Sequence, residues 1–455
     1  MKKFVALILS IFMAFGAFAA CAKQAEEAPT VKPEVQQDQE PVVAEPVKEE
    51  PDKPKEMTIW VDKLFYDQSN EMLAERIQQF GEENGIKMNV EMIANADMMT
   101  KWTAAIESKN FPDMITIGSQ DLGAFINQGL MADLSDLFEQ IEADNGSIFP
   151  NLADVCKTDG KVYGIPRSAN AHTMIYRTDL LEAAGYSEPP ATWEEYRTYC
   201  KAMTNASEGV YGAGIGFGPA DSDAEWFSRY LLLGYGASVI SEDGKSCNLN
   251  TPEAIEAIQL IVDIMQLDKS APASASNWDD KSNNTAYLSG QVATAFNAAS
   301  LLLAARDSET VSAVSAIAPV PAGPAGRYVV GSCMTYGVFA GAPNVEWSKK
   351  LIAYIMDYDW YSEWCETCAP LQGPSYEALA DTSAWTDIPE NKVIMETIKS
   401  AVFLGYPGPS TAEAGIIYNN RYMNELFGNI LVSGMSVEEA VAEMTDKINA
   451  EVFGK

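Results

Sequence analysis

Seven cysteines, a single histidine and 64 carboxylates are the reactive side chains of this 455-residue sequence, and their spacing decides which chemistry is open to it. The segment Trp364-Cys365-Glu366-Thr367-Cys368-Ala369-Pro370 has the W-C-x-x-C spacing of a dithiol redox site. Such a site needs its cysteine at a helix start just after a strand, where the helix dipole lowers the thiol pKa. Here the motif follows the helical stretch Glu346 to Trp360, so a local disulfide or buried thiols are expected instead of redox catalysis. Cys156, Cys200, Cys247 and Cys333 bring the cysteines after Cys21 to an even six, and the sequence cannot pair them. A four-ligand zinc site lacks partners, since His172 is the one histidine and no second C-x-x-C accompanies Cys365. A Ser-His-Asp hydrolase would have to use His172, and no G-x-S-x-G elbow occurs. The run Gly209 to Gly218 suggests a phosphate loop but lacks the Gly-Lys-Ser/Thr ending, so its glycines are read as allowing close strand packing. Among 64 acids an accidental pair of facing carboxylates, as a glycosidase needs, stays open. No catalytic residue, cofactor or metal ligand is assigned.

The elements that must position a site follow from length and charge. The chain is long enough for two or three domains, and 47% hydrophobic residues supply ample core. A formal charge of −33 excludes nucleic acid as a partner, because a polyanion has to be met by clustered Lys and Arg. It also disfavours docking of the protein surface on anionic lipid. A neutral or cationic small molecule remains.

Lys2 and Lys3 precede an apolar run from Phe4 to about Phe18, ending in Ala19-Ala20-Cys21. This is the pattern of a secretory signal over residues 1–20. Phe18-Ala19-Ala20-Cys21 resembles a bacterial lipobox, with Cys21 lipidated; Ala17-Phe18-Ala19 also fits an ordinary cleavage site. Residues 21–56 then form an acidic, proline-rich tract with no helical or strand period, a tether for an anchored protein. The expected location is extracytoplasmic, on the bacterial cell membrane, with the lipid as the sole membrane contact.

From Met57 the pattern alternates. Met57 to Val61 reads as a strand, Gln68 to Glu83 as a helix stopped by Gly85, and Lys87 to Ile93 as a second strand. A helix near Met98 to Ser108, the strand Met114 to Ile117 and a helix from Gln120 to Gln128 capped by Gly129 complete an α/β unit, whose ligands sit at the carboxyl ends of its strands. Glu253 to Met265 and Val437 to Ile448 are amphipathic helices with start signals at Thr251-Pro252 and Ser436/Glu439.

Several segments then carry a resemblance. Gly160-Lys161-Val162-Tyr163-Gly164-Ile165-Pro166, Met174 through Leu181, Ala183-Ala184-Gly185 and Glu188 through Glu195 follow one another in order. They are joined by Tyr287 to Ala293, Ala318 to Pro324, Val329 to Ala340 and Val432 to Ala440. The succession resembles the family 1 extracellular solute-binding proteins of ABC importers, the family of the maltose-binding protein. Arg177 departs from it, standing where Asn is usual.

The resemblance implies a two-lobed periplasmic-binding-protein-like α/β fold, each lobe a mainly parallel sheet flanked by helices, with three hinge crossovers. They are placed near Ile165-Pro166, Pro319 to Pro321 and Met356 to Trp360. Lobe one would then be 57–165 plus 322–356, and lobe two 166–321 plus 357–455. A solute, expected to be a sugar or oligosaccharide, would be held between the lobes of a monomer and passed to ABC permease subunits. A secreted carbohydrate-active enzyme and a sensor subunit are the alternatives.

A neutral sugar needs aromatic faces and hydrogen-bonding groups. Candidates by position are Phe65 and Tyr66 after the first strand, and Ser119, Gln120 and Asp121 after the third. Arg167 lies past the first crossover, Trp226 after the glycine-rich run, and Trp278 in a polar loop. Asn297 ends a strand, and Gly331 with Ser332 could offer backbone amides. Arg167 could pair instead with an anionic ligand group. Trp193 is left out as a helix-start packing residue.

Overall fold

The computed structural model describes residues 51–455 apart from Phe65. The expected signal segment, Cys21, the tether up to residue 50 and the candidate Phe65 lie outside the described residues.

β1 (Glu56–Asp62) alternates exposed and buried positions before ending in two buried ones, as a strand with one covered face does. It pairs in parallel with β2 (Lys87–Ile93) and β3 (Met114–Gly118), the latter buried throughout. The helices between them, Asp67–Asn84 and Asn95–Ser108, make the crossovers that parallel strands require. Gly85 closes the first at φ 62°, a left-handed cap that costs glycine little. The helix Ser119–Asn127 leaves the carboxyl end of β3, and Gly129 follows it at φ 69°. A small hairpin of β4 (Lys157–Thr158) and β5 (Lys161–Val162) comes next.

The spine of this first sheet arrives much later in the chain. β11 (Val329–Gly337) runs antiparallel to β3 and to β6 (Ile165–Ala171), and β12 (Ala401–Val402) lies parallel to its start. Its pairing with β6 slips at Met334/Thr335, which face Ser168 and Pro166, so Arg167 is the extra residue of a bulge. Bulges re-aim side chains, and this one sends Arg167 into the core.

The second sheet is built from β7 (Thr173–Arg177), β8 (Tyr211–Gly214), β9 (Val292–Asn297) and β10 (Ser315–Ala318), in the order β10-β7-β9-β8. Only β8–β9 is parallel; β7 is antiparallel to both neighbours. The expectation of a mainly parallel sheet in each lobe is therefore corrected for the second. β7 enters from the other lobe and β10 leaves toward it, so no crossover helix fixes their sense. The run Gly209 to Gly218 packs closely, as expected. A Cβ on Gly212 would lie 2.0 Å from the Cys200 carbonyl oxygen, and one on Gly218 2.2 Å from that of Trp278.

Two crossovers move. β6 stays in the first sheet through Ala171, so the first passage falls between Ala171 and Thr173, not at Ile165-Pro166. The second lies between Ala318 and Val329. The third is not at Met356 to Trp360. The helix Tyr358–Cys368 buries Tyr361, Trp364, Cys365 and Cys368 in lobe one, where Trp364 Nε1 donates to the Ser69 carbonyl at 3.0 Å. The helix Ala412–Asn419 still packs against Ser119–Asn127, whereas Tyr422–Leu431 packs on Ser222–Tyr235 of lobe two. The passage is thus Asn420-Arg421, and residues 357–419 belong with lobe one. Periodicity marks which face of a helix is apolar, not which sheet receives it.

Start signals hold. Thr251 Oγ1 accepts the Ala254 N–H ahead of the helix Pro252–Val262, and Ser436 and Glu439 form a capping box before Val437–Glu451. Thr192 and Glu195, not marked from the sequence, form another before the helix Trp193–Met203. Trp193 is fully buried at the helix start. Arg177, the departure from the family pattern, grips Asp179 through Nε and Nη2 at 2.7 and 2.6 Å.

Candidate ligand-binding cleft

Strand ends of lobe one, the facing loops of lobe two and the third passage enclose a cavity of about 590 Å³. Lobe one contributes most of the wall. Asp62, Lys63 and Leu64 come from the end of β1, Thr116 and Gly118 from β3, and Ser332 and Met334 from β11. Gln120 and Asp121 occupy the first turn of the helix that follows β3. Met98 and Trp102 supply apolar surface from the Asn95–Ser108 helix. Lobe two faces them with Ser222, Asp280, Ala298 and Ser300, and Tyr418 and Arg421 stand at the passage between.

Gln120, Asp121 and Ser332, all expected at the site, are brought together there. Ser332 Oγ donates to Gln120 Oε1 at 3.2 Å, which turns the Gln120 amide N–H toward the Asp121 carboxylate. Burial pushes the Asp121 carboxyl up to about 6, against the lowering effect of the Gln120 hydrogen bond. No Lys, Arg or His stands within ion-pair distance of it among the described residues. The remaining lone pairs of Asp121 are open to hydroxyl donors.

The other candidates stand elsewhere. Arg167 is fully buried beneath the cavity floor and holds Asp62 in a two-pronged pair, Nη1–Oδ1 2.7 Å and Nη2–Oδ2 3.0 Å. Burial works against its charge, but Asp62 outweighs that and raises its pKa. It anchors a cavity residue and does not itself reach the ligand space. Ser119 is buried, its Oγ accepting the Cys333 N–H at 3.2 Å. Tyr66 caps the helix Asp67–Asn84 outside the cavity wall. Trp278 is 8% exposed, packs over Gly216 and gives its Nε1–H to Ser274 Oγ. Asn297 donates to Asp223 Oδ2 and Asn284 Oδ1, both at 2.7 Å, below the lobe-two surface. Gly331 sits in the sheet, where a Cβ would come within 3.1 Å of Ala401 Cβ and the Asn170 oxygen. Trp226 packs against Tyr418 at a tilt of 48° without lining the cavity.

Reading the sequence missed Lys63, Met98, Trp102, Asn170, Gln372, Tyr418 and Arg421. Lys63 directly follows the first strand and was open to the same reasoning as Phe65. Tyr418 and Arg421 could not be found once the third passage was placed sixty residues too early.

Asp221, Asp223 and Asp280 bring carboxylate oxygens within 4.8 Å of one another near the lobe-two rim. The protein's own donors already engage them: Ala224 N–H on Asp221, Asn283 and Asn297 on Asp223, and Ser222 on Asp280. Burial, with Asp223 alongside, pushes Asp221 up to about 8. The C-x-x-C pair lies in the last turns of its helix, not the first, and burial pushes the Cys368 thiol up to about 12 and that of Cys365 well above the usual range. Neither has the lowered pKa of a redox thiol. All six cysteines among the described residues are free and buried, so the buried-thiol expectation holds and the local disulfide does not.

The comparisons agree with this architecture. A cyclic α-maltosyl-1,6-maltose binding protein from Arthrobacter globiformis superposes with a TM-score of 0.74 at 20% identity, over 89% of this chain and 100% of its own. A substrate-binding protein from Listeria monocytogenes, in complex with cycloalternan, gives 0.70 at 23% identity over 87% and 98%. In sequence, the diacetylchitobiose binding protein of Streptomyces coelicolor is 25% identical over 218 residues, 47% of this chain and 48% of its own. A protein of Brucella abortus described as a binding protein is 27% identical over 301 residues, 66% of this chain and 72% of its own. The family model for the bacterial extracellular solute-binding proteins matches residues 66–360, and the chain belongs to that family.

Proposed function

We propose that this protein captures a sugar or oligosaccharide between its lobes and delivers it, chemically unchanged, to the permease of an ABC importer. One observation carries the reading. The interlobe cavity offers a carboxylate without a cationic partner, a row of amide and hydroxyl groups, and the rings of Trp102 and Tyr418. A glycan presents the complement, hydroxyls that donate in pairs to a carboxylate and apolar ring faces that lie on aromatic side chains. Named ligands of the relatives, diacetylchitobiose and maltose-type glycans, fall in the same class. We place the protein outside the cytoplasm as a monomer held by a lipid on Cys21, its tether giving the lobes reach toward the permease. Among the described residues no helix is long and apolar enough to cross a membrane.

A thermal-shift screen against mono- and oligosaccharides tests the proposal. Ligand at about a hundredfold its Kd adds roughly 2.7 kcal/mol of stability, and chromatography of the recovered sugar should find it intact. A shift only with organic acids, amines or peptides would replace the sugar while keeping capture, and a cleaved sugar would replace capture with hydrolysis.

A further inference from the structure

The helices Ala412–Asn419 and Tyr422–Leu431 are anchored on different lobes. The first, with the loop leading into it, approaches lobe one so closely that a Cβ on Gly415 would lie 3.2 Å from the Gln120 backbone oxygen, and one on Gly123 2.8 Å from that of Ser410 in the loop. The second is tied to lobe two. Met423 N–H donates to Glu225 Oε1 at 2.8 Å, and Asn424 Nδ2 to the carbonyls of Gly218 and Asp221 at 2.6 and 2.8 Å. Between the anchors lie Asn420 and Arg421, the latter at φ 58° and ψ 41°, a left-handed conformation costly for an L side chain.

Aromatic packing spans this joint beside the cavity. The Tyr418 ring, carried by the lobe-one helix, meets the Trp226 ring of lobe two at 4.8 Å and 48°. The guanidinium carbons of Arg421 and Arg229 stand 4.8 and 5.7 Å from the centre of the same ring. Tyr418 and Arg421 line the ligand space, whereas Trp226 does not. Resting on the reading of the cleft as a capture site, we propose that Trp226 is a positioning residue for capture: it holds the Tyr418 ring and thereby sets the angle between the lobes at Asn420-Arg421. Rotation at the joint has to move one ring against the other, and a buried aromatic pair is worth something beyond its buried area. A ligand pressing on Tyr418 therefore biases the interlobe angle through Trp226.

Small-angle scattering of the full chain without sugar decides the matter. Trp226→Ala should show a larger radius of gyration than the parent, and Trp226→Phe, which keeps a ring, should return to it. An unchanged radius in a folded Trp226→Ala, or an equal increase in Trp226→Phe, overturns the proposal. Should circular dichroism show Trp226→Ala unfolded, Trp226→Leu takes its place under the same two criteria. In titrations with maltotetraose, Trp226→Ala should bind about three- to tenfold more weakly, the factor an aromatic pair carries, and Trp226→Phe should recover the affinity. If the parent ignores every sugar, the sugar reading fails while the scattering comparison still judges Trp226.

Discussion

Asp121 and Arg167 are both charged residues next to the cleft, and their surroundings give them opposite duties. Asp121 is desolvated without a cation, so its folded pKa of about 6 stands above the ordinary carboxylate value. Over the window between those values the folded state holds the extra proton, so its contribution to stability falls as pH rises through it and stays low above it. Asp121→Asn should remove that slope and raise the melting temperature at pH 7, measurable by calorimetry from pH 4 to 8. If the carboxylate receives ligand hydroxyls, affinity should move the other way, weakening as pH falls through about 6. Titration calorimetry on Asp121→Asn should find a weak, flat profile. Arg167 is spent on Asp62. Arg167→Ala strands a buried carboxylate and should cost about 3–5 kcal/mol in urea unfolding. The sequence reading placed Asp121 near the cleft by its position after the third strand, and Arg167 by its position past the first crossover. It could not show that a bulge turns Arg167 inward, because bulges depend on the partner strand's register.

At the scale of elements, the first α/β unit was legible almost to the residue. Lys87–Ile93 came from alternation, and Gly85 and Gly129 marked the ends of helices through their left-handed conformations. The helix starts at Thr251-Pro252 and Ser436/Glu439 were equally local signals. What stayed hidden was association over distance. The helix Tyr358–Cys368 carries an apolar face suited to either lobe, and only the assembled fold seats Trp364 against Ser69. Trp278 was chosen from the right loop, but it wedges over Gly216 while Asp280, two residues on, turns to the cavity. The glycine-rich strand β8 gives the prediction for this scale. Gly212→Ala would force a methyl into the Cys200 backbone and should destabilise lobe two by about 1–3 kcal/mol, read from a denaturant midpoint.

For the whole molecule, the free buried thiols make a direct prediction. In a Cys21→Ser protein, an aromatic disulfide reagent should label essentially no cysteine until denaturant is added, and then six. Two or more thiols reacting in the folded state would contradict the burial of the pair at 365 and 368. The order of the strands has a further consequence for folding during synthesis. Every strand of the second sheet falls between Thr173 and Ala318, whereas the first sheet needs both Glu56–Ala171 and Val329–Val402. A polypeptide emerging N-terminus first can thus complete its inserted lobe while β3 and β6 still wait for the strand that joins them. The lobe carrying Gln120 and Asp121 is synthesised first and finished last, so the cavity wall takes shape only once Val402, close to the far end of the polypeptide, has emerged.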